Sequence, residues 1–290
     1  MTSPVLLLLL CALACGRRGP AEAAGVPGEK SVDGPAEITL RYQPPAGARV
    51  VCPAYFETTV SAVGIDRPIQ QTLGGEREDV DYVEAVDGDR RTVRRRFGET
   101  RWTTALPLPA PETRDLPPTE STLIIDAAGR VESGTADQSV SLAMAAWAKQ
   151  FDFVPGWPQA PLHPGDSVPR PLRGPGPPGT GATLEAAAPL KLVGFAEVNG
   201  RTCAKFRSDV SGWLLFRPPG DPEAPPARST FRATGWLAFD LETGMLLGSA
   251  HSLHYALPLP GTNRQQGIPE FRITLRSGPC TYSTGTSAEN

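Results

Sequence analysis

The sequence predicts a mainly β chain of the α+β class, a curved antiparallel sheet or partial barrel built of hairpins, with one helix packed near 137–151. Three observations predict it. Apolar and polar residues alternate over many short runs, the period of a half-buried strand. Asp-Gly and Asn-Gly dipeptides separate several of these runs, and both favour two-residue hairpin turns. The 30 glycines and 32 prolines among 290 residues are spread between the runs as turns. With 40% hydrophobic and 20% charged residues, the chain has enough apolar surface to fold. A net charge of -3 gives no bulk attraction to nucleic acid.

The N-terminus comes first in the chain. "VLLLLL" at 5–10 runs into "CALACG" at 11–16. The run is too short for a bilayer span, which takes ~20 residues, and has the length of a signal-peptide core. Ala12 and Ala14 are small residues suited to a peptidase subsite, and Cys15 follows them. This stretch resembles the lipobox of bacterial lipoproteins, with Ala12 in place of the usual Leu. The resemblance implies a signal peptide over 1–14, a lipid on Cys15, and a membrane anchor through it. Gly16 is not the Asp that retains enterobacterial lipoproteins in the inner membrane, so the implied address is the outer membrane of the cell envelope. Ala12-Leu13-Ala14 also fits ordinary secretory cleavage, which would leave a soluble periplasmic or secreted protein. Residues 15–36 are small, polar and rich in Pro and Gly, and read as a flexible tether.

The β-rich domain is expected over 37–280. "EITLRY" at 37–42 alternates Ile38, Leu40 and Tyr42 toward one side, and a long strand follows from Val50 to Val63. Asp87-Gly88 predicts a type I′ hairpin that pairs Glu84 with Arg91, Tyr82 with Val93, Asp81 with Arg94 and Asp79 with Arg96. In that register "RRTVRRRFGETR" at 90–101 is neutralised by its acidic neighbour strand. It forms a charged edge or protrusion, not a nucleic-acid site. Residues 105–120 are an extended Pro-rich connection and one possible subdivision of the domain; 173–183 is another. "STLIIDAAGRVES" at 121–133 reads as two strands about a turn at Ala127 to Gly129. From the cap at Asp137, Val140, Met144, Trp147 and Phe151 recur at helical spacing, a stripe expected to be core.

"GPGPPGTGAT" at 174–183 matches a phosphate-binding loop except that Ala182 stands where the lysine must be. The prolines before it argue against a buried strand, so it reads as turn punctuation and no nucleotide is expected. Further on, Asn199-Gly200 predicts a hairpin pairing Phe195 with Ala204 and Val193 with Phe206. A second hairpin turns at Leu241 to Gly244, and a last strand at 270–278 points Phe271, Ile273 and Leu275 inward. Residues 281–290 read as a disordered tail. "LHPGDSV", "LVGFAEVNGRTCAKF" and "GWLAFDLETGMLLGS" resemble a broad group of exported bacterial lipoproteins whose β-rich domain has no assigned function. That resemblance implies architecture and compartment and carries no catalytic residue.

No motif nominates a catalytic residue, and no cofactor is expected. His251 and His254 fall on opposite faces of a strand, so they cannot share a metal, and no metal site is expected. After Cys11 leaves with the signal and Cys15 is acylated, Cys52, Cys203 and Cys280 remain, enough for one disulfide. Cys52 with Cys280 is the expected pair, with Cys203 as the alternative partner. The function expected is a lipid-anchored, non-catalytic binding or scaffolding module of the bacterial envelope. Its partner is an unknown envelope protein or an apolar ligand. The alternatives are a carrier of an apolar ligand or lipoprotein between membranes, and a hydrolase without a recognisable motif. An apolar cavity above ~300 Å³ would favour the carrier.

Overall fold

A computed structural model of the chain describes residues 25–63, 70–103, 119–136, 147, 149–152, 154, 156–177, 181–216, 227–256 and 268–285. Sixteen strands lie among them. They are β1 (Lys30–Val32), β2 (Ala48–Val63), β3 (Gln70–Asp87), β4 (Arg90–Phe97), β5 (Arg101–Trp102), β6 (Thr119–Ile125), β7 (Val131–Ala136) and β8 (Ser167–Val168). The rest are β9 (Pro171–Pro175), β10 (Thr183–Ala187), β11 (Leu190–Val198), β12 (Arg201–Phe216), β13 (Ala227–Asp240), β14 (Leu246–Ala256), β15 (Ile268–Ser277) and β16 (Thr281–Thr284). All belong to one curved, unclosed antiparallel sheet ordered β1-β11-β12-β13-β14-β15-β2-β3-β4-β6-β7.

The sheet is two meanders joined at one seam. β2 to β7 come from the first half of the chain and β11 to β15 from the second. β15 pairs with β2 from Ile268↔Val63 to Ser277↔Ala54, which closes the seam. β16 then continues along the same edge of β2, with Thr281 opposite Val51. Between β15 and β16 lies Cys280, joined to Cys52 of β2 by a disulfide. The bridge pins the point where the chain steps from one pairing to the next. Cys203 is a free thiol, fully buried, and burial foremost, then Asp240, push it up to about 12.

Turn chemistry sets most of the register. At Asn199 and Gly200 both φ values are positive (47° and 79°), as a type I′ turn requires, and Val198 faces Arg201. Phe195 pairs with Ala204 as expected, but a bulge at Val193 puts Leu192, not Val193, opposite Phe206. The Asp87-Gly88 hairpin needs a larger correction. Its turn residues are Gly88 and Asp89, with positive φ at Gly88 only, the type II′ pattern. Asp87 therefore pairs with Arg90, and a bulge at Glu84 restores the phase. The resulting partners are Asp81↔Arg95, Tyr82↔Arg94, Val80↔Arg96 and Asp79↔Phe97. Nor is this ribbon an edge: β4 is covered by β6 along its length.

Several other expectations are revised. Ile38, Leu40 and Tyr42 are buried, yet 37–42 forms no ladder. Its backbone bonds go to Leu162, Ala127 and Thr243, three separate segments, so no single strand can pair with it. Within the presumed tether, β1 pairs with β11 and Val26 is buried against the sheet. Within the presumed tail, Thr281 to Thr284 form β16. In both places a neighbouring strand offers unpaired backbone groups, which outweighs a polar composition. The phosphate-loop look-alike is the turn of the β9–β10 hairpin, closed by Gly176 N–H donating to the Ala182 carbonyl at 2.8 Å. It leads into a strand, and it is a turn within the sheet. The helix expected over 137–151 falls largely outside the described residues, and no helix is among the described elements; of its stripe, Trp147 and Phe151 are described and both are buried. The connection at 105–120 lies outside them except at its end, where β6 begins.

Candidate functional site

One face of the sheet is covered by the segment from Trp147 to Trp157, and the register shows which residues lie under it. On β13 that face carries Phe231, Ala233, Gly235 and Leu237. Opposite them on β14 stand Tyr255, Leu253, His251 and Ser249. On β15 they are followed by Phe271, Ile273, Leu275 and Ser277, and on β2 by Val60, Thr58, Phe56 and Ala54. Phe151 stacks on Phe231 at 5.9 Å, Trp147 meets Tyr255 edge-on at 6.4 Å, and Trp157 meets Phe239 at 4.9 Å. An aromatic ladder thus ties the covering segment to the second meander.

The same face changes character on the first meander. Beyond β2 it carries Arg77, Asp79 and Asp81 of β3 and Arg95 of β4. Arg77 holds Asp79 through Nε at 2.6 Å and Nη2 at 3.3 Å. Arg95 holds Asp81 with two bonds of 2.7 and 2.6 Å. Burial works to raise the Asp81 carboxyl, but the Arg95 charge and its hydrogen bonds outweigh it and hold the group below its usual range.

Two charges of the covering segment join this network. Lys149 Nζ lies 3.7 Å from Asp79 and 3.3 Å from Asp152. Asp152 Oδ1 lies 2.8 Å from His251 Nε2. Burial pushes the Asp152 carboxyl up, but Lys149, then His251 and Ser249, overcome it and keep the group ionised far below the usual range. An ionised carboxylate only accepts, so His251 Nε2 must carry the proton and donate. The imidazole itself lies over Gly235, where an added Cβ would stand 2.2 Å from Nδ1. Arg170, also buried, donates to the Phe151 carbonyl at 2.6 Å, to the Ala188 carbonyl and to Ser208. Burial lowers its pKa to about 10, partly offset by Asp152. The segment is therefore clasped at several points.

Where the two halves meet, a cleft of about 80 Å³ opens beside Trp147. Half-buried Phe56, Thr58 and Trp102 line its outer part, with Phe56 and Trp102 in edge contact at 5.6 Å. Ile273, Ser249, His251 and Ser277 line its buried part. Two polar atoms there, Trp147 Nε1 and Ser277 Oγ, have no hydrogen-bond partner among the described residues. Sequence reading placed Trp147 in the core but missed this cleft. Its residues come from segments far apart in the chain, and no local motif marks them.

Ser249, Asp152 and His251 share this cleft but do not form a catalytic triad. Asp152 receives both the serine and the imidazole, so the histidine Nε2 is turned away from the serine it would have to deprotonate. His254 stands on the other face, near Glu270 at 3.6 Å, as the strand spacing requires. No cluster of three metal-ligating side chains occurs among the described residues. On the reverse face lies a wide groove of about 1190 Å³, lined by Glu57, Glu76, Glu78, Glu99, Arg101 and Arg276 among others. Its mixed charge and breadth suit water and ions better than a defined ligand.

No protein-family model and no curated protein matches the chain. Among solved structures the chain is similar to lipovitellin, described for its lipid–protein interactions. Identity there is 10% and the TM-score 0.48, over 85% of this chain and 26% of that one. It is also similar to a DUF1329 family protein from Desulfovibrio piger, at 9% identity and TM-score 0.20, covering 82% of this chain and 87% of that one. A third is a domain from Vibrio parahaemolyticus named for outer membrane lipoprotein sorting, at 10% identity and TM-score 0.13, over 82% and 87%. The chain spans about a quarter of the lipovitellin chain. Likeness at these scores fixes no ligand.

Proposed function

We propose that the protein is a lipid-tethered, non-catalytic binding module of the bacterial cell envelope, anchored in the outer membrane through Cys15, that receives an apolar ligand in the cleft beside Trp147. The observation that carries this reading is the cleft itself. It joins an apolar aromatic outer part to a buried inner part at the seam of the two meanders. The lipobox-like stretch ending in Cys15 supports the anchor. A carrier that engulfs its cargo between membranes is the second reading. The cleft's 80 Å³ against the ~300 Å³ of an ordinary ligand pocket favours a module that grips part of a ligand.

Two measurements test the reading. Cys15→Ala should shift the protein from the detergent phase to the aqueous phase and abolish acyl labelling; unchanged partitioning would remove the anchor. The hydrocarbon probe diphenylhexatriene should show saturable fluorescence with the wild-type protein and much weaker binding to Phe56→Arg. Equal binding by a variant of unchanged melting temperature would remove the cleft.

A further inference from the structure

We infer that the cleft recognises the neutral carbonyl of a fatty-acyl ester or amide, with Trp147 Nε1 and Ser277 Oγ as its hydrogen-bond donors. This rests on the reading of the cleft as an apolar binding site and names the chemistry of its ligand.

Trp147 is 3% exposed and Ser277 6% exposed, and both line the cleft. Neither the indole N–H nor the hydroxyl has a partner among the described residues. Buried polar groups are almost always satisfied, so an unpaired pair at one cleft marks a place for a partner. An indole can only donate, and a serine hydroxyl can donate alongside it. The missing partner is therefore an acceptor. Around it the walls are Phe56, Trp102, Ile273 and Leu275, so the group bearing the acceptor is otherwise apolar.

Charge decides which acceptor. The fixed charges at the inner part are Arg77 and Lys149 against Asp79 and Asp152, already paired with one another. The set is balanced while His251 is neutral, so nothing is left to compensate a buried carboxylate. A neutral carbonyl costs far less to bury and satisfies both donors. Size agrees with this. A volume of 80 Å³ is the liquid share of two or three waters at ~30 Å³ each, which is room for a carbonyl and its nearest atoms. The chain beyond them would lie along half-buried Phe56, Thr58 and Trp102 toward solvent.

Three fluorescent probes separate the possibilities: methyl cis-parinarate, cis-parinaric acid and diphenylhexatriene, titrated at pH 7 into wild-type protein, Trp147→Phe and Ser277→Ala. The ester should bind wild type more tightly than the acid does. Each variant should lose about three- to tenfold in ester affinity, the range of one hydrogen bond, and bind diphenylhexatriene as wild type does. Ser277→Ala leaves the aromatic packing intact, so a folding defect in the tryptophan variant would not obscure the result. Ester affinity unchanged in both variants, or a preference for the acid, overturns the inference while leaving an apolar site in place. Failure of all three probes to bind wild type removes the apolar site and the inference with it.

Discussion

The two meanders present the same face of one sheet and fill it by opposite means. In β11 to β15 that face is apolar, and the covering segment seats Phe151 and Trp147 on Phe231 and Tyr255. In β3 and β4 it is ionic, and the segment reaches it through Lys149. Apolar burial is favourable without any particular geometry, whereas buried ions are tolerated only when each is paired. The second meander therefore supplies stability, and the first fixes where the segment sits. The cleft lies at their boundary, where neither filling is complete.

The comparison can be broken from its apolar side first. Phe231→Ala should be the most damaging change, costing about 3–5 kcal/mol in chemical denaturation, because a fully buried ring stacked on both Phe151 and Tyr255 leaves a cavity. A cost near 1 kcal/mol would mean that the segment repacks freely. On the ionic side the pattern of loss matters more than its size. Arg95→Met should cost about 2–4 kcal/mol by stranding Asp81, while Arg95→Met with Asp81→Leu should recover most of it. If the double variant is as weak as the single one, the pair is a stabilising element in its own right and the contrast between the meanders is lost.

Gly235→Ala probes the joint between them. The new methyl would displace the His251 ring from its place over β13 and pull Nε2 off Asp152, at a cost of about 1–3 kcal/mol. Retained Asp152–His251 coupling in the histidine NMR signals would contradict this. Acid should act on the ionic half alone. The folded pKa values of Asp152 and Asp81 are depressed, so their contribution is complete above the unfolded value near ~4 and is lost as pH falls below it. Melting temperature should hold from neutrality to about pH 5 and fall below about pH 4, less steeply in Asp152→Asn. At the small end, Arg94→Gln should change stability by no more than ~0.5 kcal/mol, since Arg94 is about half exposed and pairs with Glu84 at the surface.

The sequence was legible where turn chemistry and alternation agree. Asn199-Gly200, the turn at Leu241 to Gly244 and the inward set Phe271, Ile273 and Leu275 all follow from local rules. So does the disulfide partner of Cys280, from the nearness of terminal strands. The Asp87 hairpin was misread because Asp-Gly-Asp offers two turns, Asp87-Gly88 and Gly88-Asp89, and the bulge at Glu84 leaves no local mark. The basic run was correctly read as internally neutralised, but one of its arginines faces inward and is buried against Asp81. The cleft was illegible for a different reason. Trp147, Lys149 and Asp152 meet His251 and Ser277 only because the β15–β2 seam and the covering segment bring them together. Period-two patterning records which face a residue takes, not what lies across that face.

Hydrogen–deuterium exchange with and without methyl cis-parinarate tests the central claim most directly, because it locates the ligand without altering a residue. Protection should concentrate in β2 from Ala54 to Thr58, in β15 from Ile273 to Ser277, and in residues 147–152. The outer strands β1 and β7 should be unchanged. Protection confined to other strands, or none at saturating ligand, would contradict a binding cleft at the seam of the two meanders.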